Sequence, residues 1–160
     1  MTKVAVFMGS KSDLEQVRPC SDVLKELGID HFMTVTSAHR TPQRTKELVL
    51  EMESKGCRVF ICAAGMAAHL AGAVASQTIR PVIGIPLAAS SLNGWDALLA
   101  TVQMPPGFPV GTVALDKAGA RNAAWMAAQI LALEDADLAD KIKKAREKMA
   151  RDVEQAAKEL

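Results

Sequence analysis

With 160 residues, 49% of them hydrophobic and 23% charged, the chain has the make-up of one globular domain large enough to bury a core of its own. A formal net charge of +1 offers no basic field for nucleic acid, and aromatics at 4%, with no tyrosine, leave no platform for stacking bases. Every long apolar window is broken by Gly, Ser or His, so no stretch is expected to cross a membrane.

Val4 to Met8 is an uninterrupted apolar run, as in a strand buried on both faces. It is short and ends at Gly9-Ser10, so it reads as a strand rather than a signal peptide, and the protein is expected to be cytoplasmic. Ser12 or Asp13 caps a helix that runs to about Leu27 and stops at Gly28. His31 to Thr36 is the second strand, and Thr41-Pro42 opens a helix that ends at Gly56. Arg58 to Ala63 is the third strand, followed by an Ala/Gly corner and a small-residue helix to about Gln77. Pro81 and Pro86 bracket a fourth strand, and a short helix spans Trp95 to about Val102. Three prolines between Gln103 and Pro109 forbid regular structure there. Gly111 to Leu115 is the fifth strand, and Ala118 to Leu133 is an alanine-rich helix.

Strands alternating with helices imply a parallel sheet with right-handed crossovers, covered on both faces. Five strands in a chain this short point to an α/β, flavodoxin-like, three-layer doubly wound fold. No internal repeat or linker divides the chain, so residues 1–160 are expected to form a single domain. The segment from Glu134 to Leu160 is densely charged, yet Leu138, Ile142, Ala145, Met149, Val153 and Ala156 recur at helical spacing. This describes an extended C-terminal helix lying either on its own domain or, as an arm, on a neighbouring subunit; periodicity does not choose between them.

Ligands of open α/β sheets bind at the carboxyl ends of the strands. Three corners there carry chemistry. In the first, Gly9 permits a tight turn, and Ser10 and Ser12 set hydroxyls beside the free N–H groups of a helix start, which favours an anion such as phosphate. Asp13 would repel that anion, so it suits capping the helix or accepting a sugar hydroxyl. The spacing is not that of a Walker loop, and ATP is not implied. In the second corner His39 is suited to moving protons near neutral pH, and Arg40 to gripping a phosphate or carboxylate through paired hydrogen bonds. In the third, small residues from Ala63 to Ala68 let a ligand approach the backbone, and His69 falls in the following helix, either packed there or serving the site. His31, without polar company, is structural. The histidines lack metal-ligand spacing, so no metal is expected. Cys20, Cys57 and Cys62 read as small buried hydrophobes rather than catalytic thiols.

Taken together, Met8-Gly9-Ser10-Lys11-Ser12-Asp13, Ser37-Ala38-His39-Arg40-Thr41-Pro42, Ala67-Ala68-His69-Leu70 and Val102-Gln103-Met104-Pro105 closely resemble the class I 5-(carboxyamino)imidazole ribonucleotide mutases of purine biosynthesis. The likeness continues through Pro109 to Thr112 and Lys117 to Ala120 as far as Asn122-Ala123, so it spans nearly the whole chain in order. The resemblance implies transfer of a carboxylate from the exocyclic nitrogen of the ribonucleotide to its ring carbon, without ATP, metal or organic cofactor. It also implies a cytosolic homo-octamer of flavodoxin-like subunits, which favours the arm. By position, His39 matches the general acid/base, and Ser10, Asp13 and Arg40 match substrate-binding residues. Ser12 and Ser37 are expected to help hold the phosphate, while Gly65 matches the loop that encloses the migrating carboxylate, with His69 near it.

Two positions depart from the pattern: Met66 stands where the family usually has glycine, and Ala71 where it usually has proline. The related class II enzymes, which carboxylate aminoimidazole ribonucleotide with CO2, typically have lysine in place of Arg40. Arg40 and the run Ala67 to Leu70 favour class I. A noncatalytic nucleotide-binding regulatory domain on the same fold is the competing reading from outside enzymology.

Overall fold

The computed structural model describes residues 2–159. Five parallel strands, β1 (Val4–Met8), β2 (His31–Val35), β3 (Val59–Gly65), β4 (Val82–Leu87) and β5 (Gly111–Thr112), form one sheet in the order β2-β1-β3-β4-β5. Six helices cover it: α1 (Leu14–Glu26), α2 (Pro42–Ser54), α3 (Leu70–Ala75), α4 (Trp95–Val102), α5 (Asp116–Ala132) and α6 (Ala136–Ala157). This is the flavodoxin-like order, with its reversal of winding at β1 and β3.

The two faces of the sheet follow from strand alternation. Val4, Val6 and Met8 of β1, with Val59 and Ile61 of β3, face α1, α5 and the start of α6. Ala5 and Phe7, with Phe60 and Cys62, face α2 and α3. Both sets are apolar, which is why the central strands read as unbroken hydrophobic runs. At the edge, β2 is only partly buried. Gly28 and Gly56 end α1 and α2 with φ of +72° and +88°, a conformation glycine adopts freely.

Several boundaries differ from expectation. β4 continues through Pro86 to Leu87, because β5 pairs only with Ile83 and Gly84; beyond that point β4 has no neighbour on one side to miss a proline N–H. β5 ends at Thr112 instead of Leu115, and α5 begins at Asp116 instead of Ala118. The chain turns at Asp116 (φ +55°), whose Oδ1 accepts from the Ala88 N–H at 2.9 Å. α3 stops at Ala75, short of Gln77. α6 starts where Asp135 accepts from the Leu138 N–H at 3.0 Å.

The chain's own fold covers only the beginning of α6. Leu138 and Ile142 are buried in the α1/α5 core, whereas Met149 and Val153 further along are 49% and 71% exposed. The last residue of the segment, Leu160, lies outside the described residues. Among the described residues, no helix is long and apolar enough to cross a membrane.

Gly84 marks how closely α4 approaches the sheet. A Cβ there would lie 2.3 Å from Thr101 Cγ2 and 3.0 Å from Val110 Cγ1. Gly84→Ala is expected to cost about 1–3 kcal/mol, as overpacking does. Thr101→Ser removes the nearer atom while keeping the hydroxyl that donates to the Ala97 carbonyl at 2.7 Å. Chemical denaturation of the single and double variants should show that it recovers part of the loss.

Candidate active site

Because β1 lies between β2 and β3, the corners that follow these three strands meet at one end of the sheet. They line a cleft of about 580 Å³, to which the loop after β4 adds Ala89. Ser10, Ser12, Asp13, Ser37, His39, Arg40, Gly65 and His69 all border it.

At the first corner Asp13 holds the N-cap position of α1 without a side-chain bond into that helix, and Ser10 caps the short turn ahead of it. Ser10 Oγ accepts from the Ser12 N–H at 3.3 Å, and Asp13 Oδ2 accepts in return from the Ser10 N–H at 3.0 Å. Residues Lys11–Asp13 form one tight helical turn ahead of α1. Ser12 Oγ is 2.9 Å from Ser10 Oγ, so the two hydroxyls form one polar cluster. The turn does not require a glycine at position 9: Gly9 has no positive φ, and the nearest atom to a Cβ there would be Asp13 Oδ2 at an ordinary 3.7 Å. What Gly9 supplies is open space and a carbonyl, which accepts from Arg40 Nη2 at 3.0 Å. Partial burial raises the Asp13 carboxyl above its ordinary pKa. Hydrogen bonds from Ser10 and Ser12 and the charge of Arg40 oppose that rise.

The second corner is closed by its own side chains. Thr41 holds the N-cap position of α2 as expected, but its Oγ1 makes no bond into the helix and accepts instead from the Ser37 N–H at 2.9 Å. Ser37 Oγ accepts from the Arg40 N–H at 3.1 Å. Behind them the buried hydroxyls of Thr36 and Thr45 pair at 2.8 Å. The loop that carries His39 and Arg40 is thereby fixed, and the guanidinium retains donors beyond the one given to Gly9.

At the third corner Gly65 ends β3 opposite Leu87. A Cβ on Gly65 would come within 2.6 Å of Ala89 Cβ and 3.2 Å of the Leu87 carbonyl oxygen, so no side chain fits. Met66 follows with φ +56°, in the left-handed region. His69 is not within a helix as expected: it is the residue that precedes α3, with its N–H bonded to the Ala67 carbonyl at 2.8 Å. That placement turns its ring to the second corner. His39 Nε2 and His69 Nδ1 are 2.7 Å apart, with the rings edge to face at a centroid distance of 4.8 Å. One nitrogen must donate and the other accept, so the two rings hold a single proton between them. His39 Nδ1 and His69 Nε2 are the nitrogens left outside this bond.

Ala71 lies on the buried face of α3 and does not line the cleft, whereas Met66 does. Sequence reasoning passed over Ala89, although it follows the carboxyl end of a strand just as the other corners do. His31 lies at the opposite end of β2, held by Ser21 Oγ at 2.7 Å and the Ile29 carbonyl at 3.0 Å. Cys20, Cys57 and Cys62 are buried and free. Burial pushes the Cys20 thiol up to about 12 and Cys57 to about 11, and raises Cys62 as well, which disqualifies all three as thiolate nucleophiles at neutral pH. Among the described residues no three His, Cys, Asp or Glu side chains gather as metal ligands would.

The family described as AIR carboxylase matches residues 3–152. An N5-carboxyaminoimidazole ribonucleotide mutase from Saccharolobus solfataricus is 52% identical over 153 residues, 96% of each chain. The mutase of Thermotoga maritima is 46% identical over 160 residues, covering 100% of this chain and 92% of the relative. The crystal structure of Treponema denticola PurE superposes with a TM-score of 0.90 at 28% identity, over 100% of this chain and 99% of that one.

The raised carboxyl of Asp13 has a stability consequence of definite sign. Its ionised form is less favoured in the fold than in the unfolded chain, so its contribution is greatest in acid and is lost as pH rises through the folded value. Asp13→Asn retains an oxygen acceptor for the Ser10 N–H. At pH 7 it should melt no lower than the parent, with the difference between them closing as pH falls into the carboxylate range. Thermal melts across that range check this.

Proposed function

The chain belongs to the AIR carboxylase family, and from that premise we propose that it is an N5-carboxyaminoimidazole ribonucleotide mutase, an isomerase of purine biosynthesis. Identities of 46–52% to mutases over nearly the full chain support that activity. The observation that carries its assignment to this cleft is the 2.7 Å bond between His39 and His69, beside a hydroxyl-lined helix start and an arginine.

In this reading the ribonucleotide phosphate sits at the helix start, near Ser10, Ser12 and Ser37. Asp13 accepts from a ribose hydroxyl, and Arg40 grips an anionic group of the substrate through donors left free by Gly9. The carbamate end lies at the small-residue corner of Gly65, next to the histidine pair. The bond from the exocyclic nitrogen to the carboxylate carbon breaks, its electron pair stays on nitrogen, and His39 supplies the proton that makes the amine. The electron-rich ring carbon then attacks the released CO2. The tetrahedral carbon gives its proton back to the same histidine. One proton is lent and returned, so no external acid, base or ATP is consumed, and no metal or organic cofactor is called for. His69, bonded to His39, orients its ring and shares its proton. Holding CO2 against the ring makes recapture effectively unimolecular.

The family description also names a carboxylase, which would take aminoimidazole ribonucleotide and CO2 as its substrates. Purified protein incubated without ATP should form the 4-carboxylated product from the carbamate at low bicarbonate. Product formed only from aminoimidazole ribonucleotide at high CO2 would move the protein to the carboxylase reading. Ribonucleotide binding with no product from either would favour a regulatory domain. His39→Asn is expected to lower turnover by about 10²–10⁴, the usual worth of a positioned acid/base, with ribonucleotide affinity little changed by calorimetry.

The same reading makes residues 1–160 one domain of a cytoplasmic homo-octamer, with the exposed end of α6 as an arm against a neighbouring subunit. In its support, Met149 and Val153 on α6, Leu133 before it, and Ile79 and Trp95 elsewhere are large apolar side chains that this chain leaves uncovered.

A further inference from the structure

Met66 sets two observations side by side. Its backbone is left-handed, a conformation in which an L side chain crowds the adjacent carbonyl and glycine does not. Its side chain nevertheless borders the cleft, 59% exposed, on the turn leading to His69. The surrounding wall consists of Ala64, Gly65, Ala67 and Ala89. These residues are too short to close an opening. Gly65 cannot lengthen, since a Cβ there would strike Ala89. Leu70, the other long apolar side chain of this wall, is only 2% exposed and belongs to the core beneath. Met66 is therefore the long, unbranched apolar side chain left exposed at this mouth, and it holds its place in spite of a backbone that would relax with glycine.

Resting on the mutase reading, we propose that Met66 is the cover that retains CO2 during transfer. Between the two bond changes the migrating group is a small, neutral, apolar molecule. Arg40 and the serine cluster hold anions and have little hold on it, so only walls can keep it. A thioether with three rotatable bonds admits the ribonucleotide and then folds over the small-residue corner, excluding water without adding a polar group that would hydrate the CO2. The step itself is unchanged: nitrogen keeps the electron pair, and the ring carbon receives the carboxylate. Met66 alters how often CO2 escapes before capture.

The test compares the parent with Met66→Gly, Met66→Ala and Met66→Leu. Each turns over unlabelled carbamate in ¹³C-bicarbonate with carbonic anhydrase present, so that escaped CO2 is exchanged. Label in the 4-carboxylated product and free aminoimidazole ribonucleotide are measured together. Met66→Gly and Met66→Ala are expected to show several-fold more label and more free aminoimidazole ribonucleotide, with KM for the ribonucleotide within about twofold, while Met66→Leu stays near the parent. Glycine suits the left-handed backbone, so Met66→Gly should fold and melt no lower than the parent. Parent-like retention in Met66→Gly and Met66→Ala would overturn the cover while leaving the mutase intact. A parent protein that forms no product from the carbamate would remove the mutase reading, and the cover with it.

Discussion

The hydrogen bond between His39 and His69 is the constraint on which the site depends. It joins loops that leave two different strands, one on each side of β1, and both loops must be held within a few tenths of an ångström for it to form. A second tie, from Arg40 to the Gly9 carbonyl, links the His39 loop to the corner after β1. Three corners separated in sequence thus become one cleft with a proton held between two rings. The threonine cluster behind residues 37–41 and the helix start after His69 fix each ring from its own side.

The rigidity comes from the sheet. Its central strands are buried on both faces, and the close approach of α4 to β4 at Gly84 leaves that helix no room to slide. Against that frame the cleft gathers features that local stability would not choose. Asp13 is a partly buried carboxylate held above its usual range, and Met66 carries a side chain where the backbone favours glycine. Such features gathered at the mouth of one cleft mark a functional region.

Much of this was legible in the sequence. The apolar runs of β1 and β3 and the glycine stops at 28 and 56 fixed strand and helix order, and the polar corners at 9–13 and 37–42 announced the cleft. Boundaries were harder to read where tertiary contact overrides local signals. Pro86 reads as a strand end, but β5 is too short to need its N–H. Ser10 caps the short turn ahead of α1 because Asp13 reaches back to it, a reciprocity that composition does not reveal. Thr41-Pro42 correctly marks the helix start, yet the hydroxyl is spent on Ser37. The resemblance sets His69 near the cleft, but its pairing with His39 is the clearest loss. The neighbours of His69 are helix formers, and nothing local says that its ring will meet His39, 30 residues away in the chain. The exposed apolar end of α6 was visible as a pattern, because Met149 and Val153 keep helical spacing with the buried Leu138 and Ile142.

A double-mutant cycle on turnover tests most directly whether the two imidazoles act as one acid/base unit. His39→Asn, His69→Asn and the double variant would be assayed with the carbamate substrate, and retained ribonucleotide binding would confirm intact folds. If the rings share one proton and one task, the double variant should be no slower than His39→Asn alone, because the second loss removes nothing that still works. Losses that simply multiply would contradict the pair and leave His39 and His69 as independent contributors.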